Sequence, residues 1–387
     1  METVHQVTHF HFVGNRKYWD NIPHTEVDLY FSQKAIQYLY NHFSLEFIKV
    51  NFPDIYIERC PLRFWYWQGK PNFGDLLTPY FLKRFCNPKE YTLVKNKTGP
   101  KVISCGSIMS VCTLQTLVYG AGIRDRKQNI QNGIIQIVRG PITRQRMVEL
   151  NYACPPVYGD PGLLLPLYYH PTIQKRIPLG IIPHYLHYAQ ALEIFKTAID
   201  TGQVSVIRLL NPNIEETIDA LLECHALVSS SLHGLIVADA YGIPNKWIYF
   251  DDAITGDNTK YYDYFASVDR KDKTYISCTS SVETILKAIG PVEIQFDPKV
   301  LHDNMFFDET GIRPYTFYLW KKYIDECEIL AYKGHWERSK DIITSLRPTR
   351  LTYKSTGRHA WVNKKPVPAG TQVQVRGQKK HYYQVKF

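Results

Sequence analysis

Apolar and polar residues alternate through the middle of the chain in a way that predicts strands followed by helices. The short apolar run at 226–228 stops at three serines, which is typical of a buried strand reaching its carboxyl end. From Leu232 to Ala240 the apolar residues recur at helical spacing, and the Gly-Ile-Pro sequence at 242–244 ends that run. This stretch therefore predicts one strand and one helix of an α/β sheet.

The same alternation occurs on both sides of this stretch. It predicts two parallel sheets covered by helices, in domains at 62–170 and 171–290. The predicted strands lie at 63–67, 102–107, 117–122, 134–138, 156–158, 179–184, 204–208, 226–228 and 246–250, and the predicted helices at 76–85, 142–150, 187–199, 214–222, 232–240 and 282–289.

The two ends of the chain are predicted to extend this body, at 1–61 and 291–387. Residues 313–339 have a helical and aromatic pattern. Residues 371–375 and 382–385 predict two strands of a small β unit.

The net charge of +10 belongs to the C-terminal extension. Residues 340–387 contain eleven Lys or Arg and one acid, so the rest of the chain is neutral. Such a segment is either a solvated appendage or a surface that contacts an anionic glycan or nucleic acid. The solvated appendage is favoured, and a specific nucleic-acid reader is not expected.

Composition narrows the class of protein further. A chain of 387 residues with 44% hydrophobic residues is long and apolar enough for two folded domains. The eight cysteines are scattered without a C-x-x-C pair, so no metal site is predicted and a reducing compartment is favoured. Because no leader-like or membrane-spanning run is evident, we expect a cytoplasmic protein without a transmembrane segment.

His233 is the first candidate functional residue. It falls in the first turn of the helix at 232–240, at the strand edge where open α/β sheets bind ligands. The free N–H groups of a helix N-terminus favour an anionic ligand. The alternative is a solvated histidine in a capping segment.

Asp75 follows a strand and a glycine-containing loop, and it precedes the helix predicted at 76–85. It is either the N-cap of that helix or a carboxylate that orients or deprotonates an acceptor hydroxyl. The loop has neither the dinucleotide-binding nor the P-loop spacing, so no nucleotide cofactor follows from it.

Arg139 and Asp160 stand at the ends of two further predicted strands. The guanidinium fork of Arg139 matches a carboxylate or phosphate in bidentate fashion, and a structural salt bridge is the alternative. Asp160 is either part of the site or a turn residue that satisfies backbone donors.

Four short motifs occur in one order along the chain: Asn72-Phe73-Gly74-Asp75, Arg139-Gly140-Pro141-Ile142-Thr143, Gly159-Asp160-Pro161-Gly162-Leu163-Leu164 and Ser231-Leu232-His233-Gly234. Together they resemble the polysaccharide pyruvyl transferase family, over roughly residues 62–290. The resemblance implies two Rossmann-like domains in a glycosyltransferase-B-like arrangement, phosphoenolpyruvate as donor substrate, a sugar or glycan acceptor and no further cofactor.

The resemblance also implies roles for individual residues. His233 would be the acid/base residue or a phosphate clamp, and Asp75 the base for the acceptor hydroxyl. Some relatives have an arginine where this chain has Ser231, which leaves one cation fewer for the donor. The expected substrate contacts are Asn72, Arg139, Asp160, Ser231, Leu232, Gly234 and Lys260.

Two other functions remain open at this point. One is a glycosyltransferase of the same general fold that uses a nucleotide-sugar, which predicts an acidic residue that binds a ribose. The other is a non-catalytic glycan-binding relative. The presence of both His233 and Arg139 argues against the binding protein, and Ser231 argues slightly for it.

Overall fold

The computed structural model describes residues 26–325 and seven strands beyond them, with side chains described from Lys34 to Lys322. The helices are α1 Glu26–His42, α2 Leu45–Asn51, α3 Phe73–Phe85, α4 Pro141–Glu149, α5 Leu165–Tyr168, α6 Tyr188–Ile194, α7 Lys196–Asp200, α8 Ile214–Leu222, α9 Leu232–Ala240, α10 Thr259–Ser267, α11 Val282–Ala288, α12 Pro298–Asn304 and α13 Pro314–Leu319.

The strands before residue 313 are β1 Leu62–Trp65, β2 Tyr91–Val94, β3 Lys101–Ile103, β4 Thr116–Tyr119, β5 Ile134–Ile137, β6 Ile177–Ile182, β7 Val204–Val206, β8 Cys224–Ser229, β9 Asn245–Tyr249, β10 Tyr275–Ser277, β11 Phe307–Asp308 and β12 Gly311–Ile312. Those beyond residue 325 are β13 Ile329–Tyr332, β14 Trp336–Ser339, β15 Ile342–Ser345, β16 Leu351–Ser355, β17 Arg358–Trp361, β18 Gln372–Lys379 and β19 Tyr382–Lys386.

Two five-stranded parallel sheets form the α/β part of the protein. The first has the strand order β2-β1-β3-β4-β5, and the second β10-β9-β8-β6-β7. The predicted α/β class with two parallel sheets is confirmed. The edge strands β2 and β10 were missed, because their partly exposed residues lack a continuous apolar run.

Each parallel sheet has its own hydrophobic core. Trp65, Ile103 and Val118 belong to the core of the first sheet. Val228 and Ile248 belong to that of the second. Strands covered by helices on both faces bury nearly every side chain, which explains the short apolar runs in the sequence.

The predicted strand at 156–158 is wrong. Only Tyr158 pairs there, as an isolated bridge to Val138. The chain turns directly afterwards into a 3₁₀ helix, Pro161–Leu164, with Asp160 as its N-cap. Proline at the first helical position favours that turn over a longer strand.

The chain divides into two compact units, and both parallel sheets belong to one of them, made of Cys60–Cys112 and Thr116–Arg313. The other unit comprises residues 1–59, 113–115 and 314–387. It contains α1, α2, α13 and an antiparallel sheet of the order β14-β15-β18-β19-β13-β16-β17. The domain boundaries inferred from the sequence remain a prediction.

The helix predicted over 313–339 is wrong beyond residue 325. Helix α13 passes into a π-helical turn, Trp320–Asp325, and β13 and β14 follow. Strand β13 pairs with β16 and β19, and the paired residues lie 20 to 56 positions apart in sequence. Such long-range pairing overrides a local helical pattern. The strands predicted at 371–375 and 382–385 correspond to β18 and β19.

Candidate active site

The turn between β8 and α9 places His233 as the second residue of the helix. The Ser229 hydroxyl accepts a hydrogen bond from Ser231 N at 3.0 Å and lies 2.9 Å from the Ile182 carbonyl oxygen. A Cβ on Gly234 would lie 2.2 Å from that hydroxyl, so only glycine lets the helix start this close to the strand. The turn and the first helical residues are therefore fixed tightly.

Helix α3 begins at the same place from the first sheet. Its N-cap is Asn72, so the alternative that Asp75 caps the helix is wrong. Phe73 N donates to the Leu209 carbonyl oxygen at 2.8 Å, which ties the start of α3 to the loop after β7. Asp75 lies in the first turn, where its Oδ2 accepts a 3.0 Å hydrogen bond from Asn72 Nδ2.

His233 packs directly against Gly74. A Cβ on Gly74 would lie 1.9 Å from His233 Nδ1, so any side chain there would displace the imidazole. The motif around Asp75 and the motif around His233, about 160 residues apart in sequence, meet at this contact. The N-termini of α3 and α9 thus converge, which favours an anion between them.

Asp160 lies on the other side of the imidazole. Its Oδ1 accepts a 2.9 Å hydrogen bond from Gly162 N, as the N-cap of Pro161–Leu164. Its Oδ2 lies 3.5 Å from His233 Nε2. Within the described part of the chain, neither of these two enclosed atoms has a hydrogen-bond partner.

Asp75 is half-buried close to these groups. Burial raises the pKa of its carboxyl above the ordinary value; the hydrogen bond from Asn72 and the charge of His233 oppose the rise, and Asp160 adds to it. A carboxylate with a raised pKa is a stronger base, which suits removal of a proton from a hydroxyl. His233 and Asp75, the two predicted catalytic residues, therefore lie in one cluster with Asp160 and Asn72.

Comparison with known proteins identifies the family of the chain. The family model described as polysaccharide pyruvyl transferase matches residues 44–252, more than half of the chain. The chain belongs to the polysaccharide pyruvyl transferase family. Membership indicates a transferase that modifies glycans, and it implies a glycan acceptor.

One similar protein is an uncharacterised protein of Acanthamoeba polyphaga mimivirus, L143. It is 30% identical over 205 residues, which cover 50% of this chain and 70% of that protein. No solved structure matches the chain.

Arg139 is held by partners other than the residues of the histidine cluster. Its side chain is fully buried, with Nε and one terminal nitrogen 3.1 and 3.0 Å from Asp263 Oδ2. The other terminal nitrogen donates to Ser107 Oγ at 2.7 Å. Its guanidinium is thus engaged by the protein, and a direct contact with the donor remains a prediction.

Asp263 joins this arginine to the start of α4. It accepts hydrogen bonds from Thr143 N at 2.8 Å and from Thr143 Oγ1 at 2.7 Å. Asp263, a residue of α10, thus caps α4, the helix that follows the Arg-Gly-Pro motif. The two helices belong to different parallel-sheet halves of the unit. The sequence analysis missed Asp263, although it selected Lys260 one helical turn earlier.

Lys260 lies one helical turn before Asp263 in α10, outside the range that the family model matches. Its Nζ lies 5.1 Å from the centre of the Tyr261 ring, whose hydroxyl donates to the Ser230 carbonyl oxygen. Burial, together with the charges of Arg139 and Arg124, lowers the pKa of Lys260 to about 8. A lysine whose protonated form is disfavoured by burial and by neighbouring positive charges is a candidate for binding an anion.

His184, two residues after the end of β6, was also missed. Burial lowers the pKa of His184 to about 4, and the charges of Lys260, His187 and Lys70 add to the effect. Several basic groups therefore gather where the second sheet ends. The position of His184 at the carboxyl end of a predicted strand is the feature of the sequence from which it could have been predicted as a site residue.

The remaining predicted contacts surround His233. Ser231 is the N-cap of α9, buried and without a side-chain capping bond, and Leu232 and Gly234 flank the histidine. Among the described residues, no group of three or more His, Cys, Asp or Glu side chains could hold a metal ion. No helix in the described part is long and apolar enough to cross a membrane. The cytoplasmic location and the role of the basic extension, whose side chains lie outside the described residues, remain predictions.

Proposed function

We propose that this protein transfers pyruvate from phosphoenolpyruvate to two hydroxyls of a glycan and forms a pyruvate ketal. The observation that carries the proposal is the contact of His233 with Gly74, beside Asp75 and at the convergence of two helix N-termini. This arrangement combines an acid/base group, a half-buried carboxylate and an electropositive environment. Phosphoenolpyruvate requires these, because it has two anionic groups and must be protonated on carbon.

The reaction balances without a redox cofactor. Protonation of the donor methylene carbon makes C2 electrophilic, and the first acceptor hydroxyl forms a C–O bond to it. The C2–O bond to phosphate breaks, and the second hydroxyl forms the other ketal bond. Of the two hydroxyl protons, one balances the proton on the new methyl group and the other leaves on phosphate.

In this proposal His233 and Asp75 each carry out one proton transfer. His233 gives the proton to carbon, because an imidazole exchanges protons readily near neutral pH. Asp75 accepts a proton from an acceptor hydroxyl. We also propose a glycosyltransferase-B-like arrangement of the two parallel-sheet halves, supported by the meeting of α3 and α9 at the site.

A thermal-shift experiment tests the donor. Phosphoenolpyruvate at about 100 times its dissociation constant should stabilise the folded protein by about 2.7 kcal/mol and raise the unfolding midpoint by a few degrees. His233→Gln should lose most of this shift. His225→Gln, which changes an exposed histidine of β8, should keep it.

Two further results would decide between the candidate functions. Turnover in D₂O with a glycan acceptor should introduce one deuterium into the ketal methyl group and release inorganic phosphate. A shift with a nucleotide-sugar, and none with phosphoenolpyruvate, would replace the proposal by the glycosyltransferase alternative.

The pKa of Lys260 leads us to expect that donor binding depends on pH. The protonated amine attracts phosphate and the neutral amine does not, and its pKa in the free protein is about 8. The dissociation constant for phosphoenolpyruvate should therefore change little from pH 7 to 8 and rise up to about tenfold per pH unit above that. Isothermal titration calorimetry across pH 7–10 measures it.

Lys260→Arg is the control for this dependence. Arginine stays protonated over the whole range, so the variant should show an almost flat profile above pH 8. The same rise in wild type and variant would show that another group titrates and that Lys260 does not hold the donor.

A further inference from the structure

Two polar atoms face each other in the core of the site without a partner. His233 Nε2 and Asp160 Oδ2 are both enclosed, lie 3.5 Å apart and form no hydrogen bond with any other described residue. Enclosed polar groups are nearly always paired. Catalytic hydrogen bonds are often long in free proteins and shorten in the complex, so these two atoms are natural partners.

The chemistry of this pair selects one tautomer of the imidazole. A carboxylate oxygen only accepts hydrogen bonds, and each ring nitrogen of a neutral histidine either donates or accepts. With the proton on Nε2, the ring donates to Asp160. With the proton on Nδ1, two lone pairs would face each other in an enclosed place.

The other edge of the ring faces the place where substrate is proposed to bind. Nε2 is enclosed, so the exposed part of the His233 side chain, 9% of its area, belongs to other atoms of that side chain. Nδ1 is the remaining polar atom, and it lies against Gly74 at the start of α3. The nitrogen with the free lone pair is thus the one beside the converging helix N-termini.

Asp160 itself is too firmly held and too deeply buried to touch substrate. Its side chain is fully buried, and its Oδ1 is occupied by the capping bond from Gly162 N. Its carbonyl oxygen accepts a further bond from Leu163 N at 3.0 Å. One carboxylate oxygen of Asp160 therefore caps its own turn, and the other faces His233.

We propose that Asp160 is a positioning residue that holds His233 as the Nε2–H tautomer and leaves Nδ1 to exchange the proton with the donor carbon. The role of Nδ1 in proton exchange rests on the proposed function. The tautomer does not, because it is a property of the free protein. The proposal assigns to Asp160 a role different from the substrate contact expected from the sequence.

The first test is the tautomer of the wild-type protein. A long-range ¹H–¹⁵N correlation spectrum, with His233→Gln to assign the resonance, should show Nε2 protonated and Nδ1 unprotonated for the neutral ring. Protonation of Nδ1 instead would overturn the proposal. This measurement needs neither activity nor an Asp160 variant that folds.

The second test is Asp160→Asn. The amide oxygen can keep the capping bond to Gly162 N, since Asn caps as well as Asp. Its N–H₂ group then points at Nε2 and should invert the tautomer. By analogy with serine proteases, where the same change costs about 10⁴-fold in kcat, we expect a fall of about 10³–10⁴-fold with KM for phosphoenolpyruvate within a few-fold.

Asp297→Asn is the matched control. Asp297 also precedes a proline and caps a helix, α12, by accepting from Lys299 N, but it forms no ion pair with a histidine among the residues that the structure describes. This variant should keep wild-type kcat. Unchanged kcat and unchanged tautomer in Asp160→Asn would overturn the proposal, whereas a wild-type protein inactive with phosphoenolpyruvate but with the Nε2–H tautomer would overturn only the proposed function.

Discussion

Asp263→Ala should lower the free energy of unfolding by about 3–5 kcal/mol, because it leaves the buried guanidinium of Arg139 without its carboxylate. It also removes the two hydrogen bonds that Asp263 accepts from Thr143 at the start of α4. Urea unfolding followed by circular dichroism would measure the change as a shift of the transition midpoint at constant slope.

Asp303→Ala provides the comparison for this effect. It removes an aspartate from the largely exposed ion pair with Lys299 in α12, and such pairs contribute at most about 1 kcal/mol. Equal losses in the two variants would mean that the ion pair between Arg139 and Asp263 contributes no more than a surface contact. With that result, Arg139 would again be a candidate for direct contact with the donor.

Gly74→Ala should reduce kcat/KM by at least about 100-fold while the protein stays folded. The added Cβ would lie 1.9 Å from His233 Nδ1, so the imidazole must move, and displacements of about 1 Å cost this much in rate. The backbone tolerates the change, because Gly74 lies in the first turn of α3 and alanine favours helices. Steady-state release of phosphate from phosphoenolpyruvate, measured with the glycan acceptor, gives the rate.

Gly290→Ala controls for the substitution itself, since a Cβ at that position meets nothing within 4 Å. It should change neither the rate nor the unfolding midpoint appreciably. Wild-type activity in Gly74→Ala would show that the close contact between the two motifs is unnecessary for catalysis.

These two predictions separate two parts of the molecule that the sequence analysis treated as one site. The contact between Gly74 and His233 brings together groups for proton transfer. The network of Arg139, Asp263 and Thr143 is buried and hydrogen-bonded, and it connects α4 with α10, the helix that carries Lys260. We expect mutations in the first part to reduce the rate, and mutations in the second mainly to reduce stability.

Local patterns were sufficient to predict the class of fold and most of its elements. Helices α8 and α9 were predicted with their observed bounds, and the central residues of β8 were predicted as a strand, because strand burial and helical periodicity are properties of adjacent residues. The placement of His233 beyond a strand's carboxyl end follows from the same local pattern. Ordered short motifs also identified the family before any contact was known.

The sequence by itself thus determined the α/β class, the family and the places of His233 and Asp75 near the starts of helices. Only the tertiary structure decided that Gly74 supports the imidazole, that Asp160 faces Nε2 and that Asp263 pairs with Arg139. The physical reason is that burial and pairing depend on residues more than 70 positions apart, which no local pattern records. Strand β13 was mistaken for part of a helix for the same reason, because its partners β16 and β19 lie elsewhere in the chain.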